Sequence, residues 1–262
     1  MARKIVVTSG KGGVGKTTVA VNLGLSLADM GLRVVLIDLD FGLNNLDVVT
    51  GVESQVVFDL LDVLEGRCRL KQALAQSKSR KNLYVLPSGS VDYTSRITGQ
   101  NIKLIIDNLN SIFDYILIDS PAGIDIGFHR AVSSVDEAII VATPNLTSLR
   151  DADKVVSILR SYKLNQISLV VNRVRGDLIM NQKMMMPKDV ENLLKTELVG
   201  VLPEEDAVFL SSGYLLPKKS DSFKAYKMLA HNLYKNDKKI FDTTGKYAGF
   251  FGSIRRSIKK SI

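Results

Sequence analysis

Short, uninterrupted apolar runs alternate with longer stretches of helical period along most of this chain. Residues 4–8 (KIVVT), 33–38 (RVVLID), 83–87 (LYVLP), 115–119 (YILID), 137–142 (EAIIVA), 168–172 (SLVVN) and 200–202 all lack the in–out alternation of a strand with one wet face. A strand that is apolar on both sides needs cover on both sides. Between these runs the spacing of apolar positions predicts helices over 16–30, 102–112, 148–162 and 187–198, with Gly31 placed to end the first. This alternation predicts an α/β fold: one doubly wound, mostly parallel sheet with helices on both faces. The expected organisation is a single domain over 1–235, a flexible polar linker over 236–248, and a separate terminal segment over 249–262.

A chain of 262 residues with 45% hydrophobic and 24% charged residues can build a sizeable core and does not have the composition of a disordered one. The first residues run into only three strongly apolar positions, Ile5, Val6 and Val7, too few for a secretory signal, and no stretch approaches a membrane-spanning helix. With the single cysteine, Cys68, this gives the expectation of a cytosolic protein without an internal disulfide or a cysteine-built metal cluster. The net charge of +8 is uneven. Lys246, Arg255, Arg256, Lys259 and Lys260 follow the last acidic residue, Asp242, and subtracting these five leaves +3. A nearly balanced body argues against a nucleic-acid surface there and makes the basic terminus a separate question.

Gly10, Lys11, Gly12, Gly13, Val14, Gly15, Lys16 and Thr17 fit G-x-x-x-x-G-K-[ST], between a predicted strand and a predicted helix. Glycines let backbone N–H groups close on a phosphate, and the helix N-terminus adds partial positive charge. Lys16 is placed to reach the β- and γ-phosphates of a nucleotide and the Thr17 hydroxyl to ligate Mg2+; Thr18 completes the contact run. Lys11 is not demanded by this motif, and on residues alone it could be a solvated loop lysine.

Asp38 and Asp40 end the second apolar run and Asp119 ends the YILID run. Ligands of open α/β sheets bind at the carboxyl ends of the strands, so these carboxylates share a rim with the loop. Asp119 is the candidate Mg2+ ligand, with Asp38 and Asp40 as further candidates. Asp40 is also the candidate for orienting an attacking water. A turn-forming or capping role competes at each position, most strongly at Asp38. Asn172 and Arg173, and Pro203 after the last run, are candidates for the base pocket, although Asn172 suits a turn equally well. His129, His231, the triplet Met184, Met185 and Met186, and Cys68 stand in no ligand pattern and are expected to be structural.

On a helical wheel Phe250, Phe251, Ile254, Ile258 and Ile262 fall within about 120°, while Arg255, Arg256, Lys259 and Lys260 fill most of the remainder. An apolar arc flanked by cations predicts a helix lying in the interface of an anionic membrane. A helix docked on the core and a nucleic-acid arm are the competing readings; the first has no use for four cations, the second none for so clean an apolar arc.

The KGGVGKTT loop at 11–18, the stretch DLDFGLNNLD at 38–47, DSPAGI at 119–124 and the amphipathic terminus together resemble the MinD family of deviant Walker A ATPases, which select the division site in bacteria, over essentially the whole chain. The resemblance implies an ATPase that forms a face-to-face dimer in the ATP state, with Lys11 reaching the partner's nucleotide, and with Lys11, Lys16 and Asp40 as its catalytic residues. It implies peripheral attachment to the inner face of the cytoplasmic membrane, recruitment of the division inhibitor MinC, and MinE, where present, as the releasing partner. Residues 148–153 resemble the region that meets those partners. Partition ATPases of the ParA type, the flagellar-number ATPase FlhG, and a nucleotide-gated scaffold with little hydrolysis remain as alternatives. Nitrogenase iron protein is disfavoured, because its bridging cluster takes two cysteines per subunit.

Overall fold

The computed structural model describes residues 1–41, 45–89, 97–211, 216–249 and 252. The strands, numbered in chain order, are β1 (Arg3–Thr8), β2 (Val34–Asp38), β3 (Ala75–Gln76), β4 (Leu83–Leu86), β5 (Tyr115–Asp119), β6 (Glu137–Ala142), β7 (Gln166–Val174) and β8 (Glu197–Pro203). The helices are α1 (Lys16–Asp29), α2 (Leu46–Thr50), α3 (Leu60–Leu64), α4 (Gly99–Leu109), α5 (Ile126–Val132), α6 (Leu146–Ser161), α7 (Gly176–Met180), α8 (Pro187–Leu194), α9 (Asp206–Leu210) and α10 (Asp221–Lys235). The strands form one sheet in the order β3-β4-β2-β5-β1-β6-β7-β8, with only β3 antiparallel to its neighbour. The doubly wound, mostly parallel sheet is as expected.

β1 lies between β5 and β6, with Ile5 opposite Leu117 on one side and Glu137 on the other. Its side chains alternate between two cores, as a two-sided strand requires. Ile5 and Val7 pack with α1 and α10 residues such as Val19, Leu23, Tyr226 and Leu229. Val6 packs with Ile106, Phe128, Val155 and Val156 from α4, α5 and α6. The chain turns from β1 into α1, crosses to β2, and skips the place later filled by β5, so the ends of β1, β2 and β5 converge on one rim.

One element differs from its sequence expectation in kind. Val190, Leu194 and Leu198 share a helical spacing, yet α8 ends at Leu194, Lys195 is left-handed at φ 49°, and β8 begins at Glu197. Pairing of β8 along β7, with Ser168 opposite Glu197, uses the 197–198 backbone in the sheet. Leu198 is buried either way, so its apolarity could not decide between the two.

The stretch 236–248, expected as a flexible linker, is held against the body. Asn232 Nδ2 donates to the Lys239 carbonyl at 2.6 Å, and Lys246 Nζ donates to Asp221 Oδ2 at 2.6 Å. Thr243 and Tyr247 are buried. Phe250, Phe251 and residues 253–262, which carry the expected membrane helix, lie outside the described residues, as do Gly42, Leu43 and Asn44. Among the described residues no helix is long and apolar enough to cross a membrane.

Candidate functional site

The loop between β1 and α1 is shaped by its glycines. Gly13 and Gly15 take positive φ, 77° and 96°, and Gly15 caps α1 with no side-chain acceptor on its first N–H groups. Gly10 sits under α6 so closely that a Cβ there would lie 2.2 Å from the Asp151 carbonyl carbon. A Cβ at Gly15 would lie 2.5 Å from Asn172 Nδ2, which donates to the Val14 carbonyl at 2.8 Å. The end of β7 and the start of α6 therefore clamp the loop from two sides. Ser9 Oγ closes its entry by donating to the Lys11 carbonyl at 2.9 Å, and the Gly123 N–H donates to the Ser9 carbonyl at 3.0 Å, tying the loop to the segment after β5.

Lys16 is buried, whereas Lys11, Gly12 and Gly13 are exposed at the tip. The Thr17 hydroxyl donates to Asp119 Oδ2 at 2.5 Å, which joins the first turn of α1 to the end of β5. Asp119 is 2% exposed, and its other oxygen, Oδ1, is buried without a hydrogen-bond partner. A buried carboxylate oxygen with no donor is costly unless another group meets it. Two hard oxygen donors, Thr17 Oγ1 and Asp119, at the mouth of a phosphate-shaped loop fit Mg2+, which takes few protein ligands and completes its shell with water and phosphate. When bound, the ion supplies positive charge against the phosphate oxygens.

Two carboxyls in this site are held above their ordinary range. Burial pushes Asp38 up to about 7, and the neighbouring Asp119 charge adds to it. Burial pushes Asp119 up to about 6, against the Thr17 hydrogen bond and the Lys16 charge. Asp38 accepts from the backbone N–H of Asp40 at 2.8 Å and of Leu46 at 3.3 Å, so its carboxyl braces the turn leaving β2. Asp40 itself is half-buried beside that turn.

The raised Asp38 value has a testable consequence for the nucleotide-free, metal-free protein. An unfolded chain releases this proton near the ordinary value of 3.8, while the folded chain keeps it to about 7. The folded state then binds more protons, so this group's contribution falls as pH rises between those values. Thermal unfolding from pH 4 to pH 8 is expected to show a decline that Asp38→Asn flattens; equal slopes in both proteins would contradict the assignment.

Two clefts adjoin the loop. One, of about 340 Å3, lies between the loop tip at Lys11, Gly12 and Gly13 and the β6–α6 turn at Thr143, Pro144 and Asn145. The other, of about 760 Å3, runs from Gly15 and Thr18 to Asn172, Arg173, Pro203 and Glu204. The structure brings all of the loop and base-pocket candidates to this one rim. Arg173 reaches it through a left-handed φ of 56° at a register shift between β7 and β8. Asn172 is committed through its amide N–H to the loop carbonyl, a brace that the sequence reading did not foresee. Thr143 and Asn145, and Arg175, Lys246 and Tyr247 on the wider cleft, were not singled out from sequence. The polar run ending EAIIVATPN was the available signal for the first two; nothing local marked the others. His129 lies away from the loop, bonded to the Tyr162 hydroxyl.

Comparison with known proteins agrees with this arrangement. The family described as an AAA domain matches residues 2–170. The septum site-determining protein MinD of Synechocystis sp. is 40% identical over 98% of this chain and 99% of its own length. The MinC:MinD cell division protein complex of Aquifex aeolicus contains a chain 38% identical, with a TM-score of 0.83, covering 90% of this chain and 97% of that one. The septum site-determining protein MinD of Pyrococcus horikoshii, complexed with Mg-ADP, is 32% identical with a TM-score of 0.81, over 90% of this chain and 97% of that one. A P-loop whose Thr17 hydroxyl bonds the buried Asp119 on a doubly wound sheet, with these likenesses over nearly the full length, places the chain in the MinD family of septum site-determining P-loop ATPases.

Proposed function

We propose that this chain is an ATP-hydrolysing switch in division-site selection. Its ATP-bound dimer attaches to the inner face of the cytoplasmic membrane and recruits MinC, and hydrolysis returns monomers to the cytosol. The observation that carries this reading is the Thr17–Asp119 pair with its unpartnered Oδ1, set beneath a clamped phosphate loop. That arrangement suits Mg-ATP, and the Aquifex complex with MinC and the Pyrococcus complex with Mg-ADP support MinC and nucleotide as partners. MinE is a conditional partner. The partition-ATPase reading would need a basic body, and a scaffold with little hydrolysis would not need a water-orienting carboxylate at Asp40.

In the proposed mechanism Lys16 and the loop N–H groups hold the β- and γ-phosphates, and the second cleft takes the base. Asp40 orients water for in-line attack. Lys11, exposed at the loop tip, crosses to the nucleotide of the partner subunit. Ile124, Ile126 and Leu146 expose apolar side chains near the same rim, which suits burial against a second copy. The 249–262 segment supplies the lipid contact.

Co-sedimentation with anionic liposomes tests the whole reading: protein is expected in the pellet with ATP, not with ADP, and MinC is expected to follow it. Equal pelleting in both nucleotides would refute the switch. The chemistry has its own test. Asp40→Ala is expected to bind ATP and dimerise but turn over at least about tenfold more slowly, because the water loses its orientation. Lys11→Ala is expected to lose dimerisation and turnover together, and mixed with intact subunits to give dimers of asymmetric activity. Normal dimers and turnover from Lys11→Ala alone would exclude action across the interface.

A further inference from the structure

The segment after α10 returns to the base cleft and forms one of its walls. Lys246 and Tyr247 line the cleft of about 760 Å3 together with Gly15, Thr18, Asn172 and Arg173. The segment is seated tightly enough to act as a fixed wall. Gly176, which begins α7 just after β7, leaves so little room that a Cβ there would lie 1.8 Å from the Thr243 carbonyl oxygen and 3.1 Å from Tyr247 Cδ2. Lys246 bonds Asp221 in the first turn of α10. The Glu205 carboxylate, on the opposite lip, accepts from the Ser222 N–H at 2.8 Å. Beyond the wall, Gly252 lies against Tyr247: a Cβ at Gly252 would come within 2.2 Å of the Tyr247 carbonyl carbon. Tyr247 thus stands between the cleft and the root of the basic terminal segment.

We propose that Tyr247, with Lys246, is a base-contacting part of the nucleotide site, so that filling the cleft and seating the 239–249 strap favour one another. The inference rests on reading this cleft as the nucleotide site. Tyr247, largely buried in the cleft wall, backs Lys246, and the part of it that meets the cleft together with the aliphatic stem of Lys246 offers apolar surface to a purine, whereas the phosphates are held elsewhere, by the loop. Linkage then runs both ways: a ligand that contacts the seated strap stabilises it, and a loosened strap weakens that ligand by the same factor. Contacts to the base alone carry this coupling, so a ligand without a base does not share it.

Hydrogen exchange on the full chain, with and without Mg-ADP, tests the coupling. Slowed exchange is expected in both the loop at 10–18 and the strap at 239–249. A loop that slows beside an unchanged strap overturns the inference and leaves the nucleotide site standing. If neither slows, the nucleotide reading fails and the inference with it. Calorimetry of Tyr247→Ala gives a second reading. ADP is expected to bind about three- to tenfold more weakly, inorganic pyrophosphate as in the parent protein, and Tyr247→Phe is expected to restore ADP binding. An equal loss for both ligands, or no loss for ADP, overturns the inference.

Discussion

Lys16→Ala is expected to abolish turnover and to weaken ATP binding by at least about a hundredfold, through loss of two or more charge-assisted hydrogen bonds to phosphate. Lys16 is buried at the base of the loop, so its ammonium acts in a poorly screened setting and no neighbouring cation in the loop can take its place; Lys11 projects from the tip. The fold should survive, since the loop is clamped independently by Asn172 and by α6 against Gly10. Nucleotide binding by calorimetry, with thermal unfolding as the control, checks both halves. Normal ATP binding in this variant would mean that the loop has been misassigned.

Removing residues 249–262 is expected to eliminate liposome attachment while leaving ATP binding and dimerisation in place. Each cation near an anionic surface contributes about 1 kcal/mol, so Arg255, Arg256, Lys259 and Lys260 supply roughly 4. Five apolar side chains partly buried in lipid would add to this, and ordering the segment would cost about 1–2 kcal/mol per residue. One tail would therefore be a weak, reversible anchor. Two tails on an ATP dimer would hold together, because the second would bind at high effective concentration. Phe251→Glu or Ile258→Glu should reproduce the truncation, and added salt should weaken the intact protein's attachment. Truncated protein pelleting with ATP as the parent does would end the bivalent-tail account.

The sheet and the phosphate loop were legible in the sequence for a physical reason. Buried parallel strands write continuous apolar runs such as YILID, and a phosphate loop needs glycines and a lysine at fixed spacing. Elements fixed by tertiary contact were not legible. β3 has two residues, and α2, α3, α7 and α9 have five each, too short for any periodicity to register. Leu198 fitted a helix until β7 claimed its backbone. Sequence alone leaves Asn172 to face a base or form a turn; its bond to the loop carbonyl depends on a neighbour 158 positions away. The strap shows the limit most clearly. Lys246 and Tyr247 lie in a polar, glycine-containing stretch that composition reads as linker, and only the groove beside Gly176 turns it into a wall.

The central place of β1 has a consequence for how the protein is made. β1 precedes both of its partners in the chain, pairing on one side with Tyr115 and its neighbours and on the other with Glu137 and its neighbours. At about 5–20 residues per second, synthesis delivers those partners roughly 5 to 25 seconds after β1 emerges. Until then both edges of this central strand are unpaired, and the loop that follows has neither Asp119 beneath it nor Asn172 against it. ATP therefore cannot assist the early stages of folding, since the pocket that would bind it is assembled last. The nascent stretch from β1 to β6 is thus the span over which unpaired strand edges are open to wrong pairing.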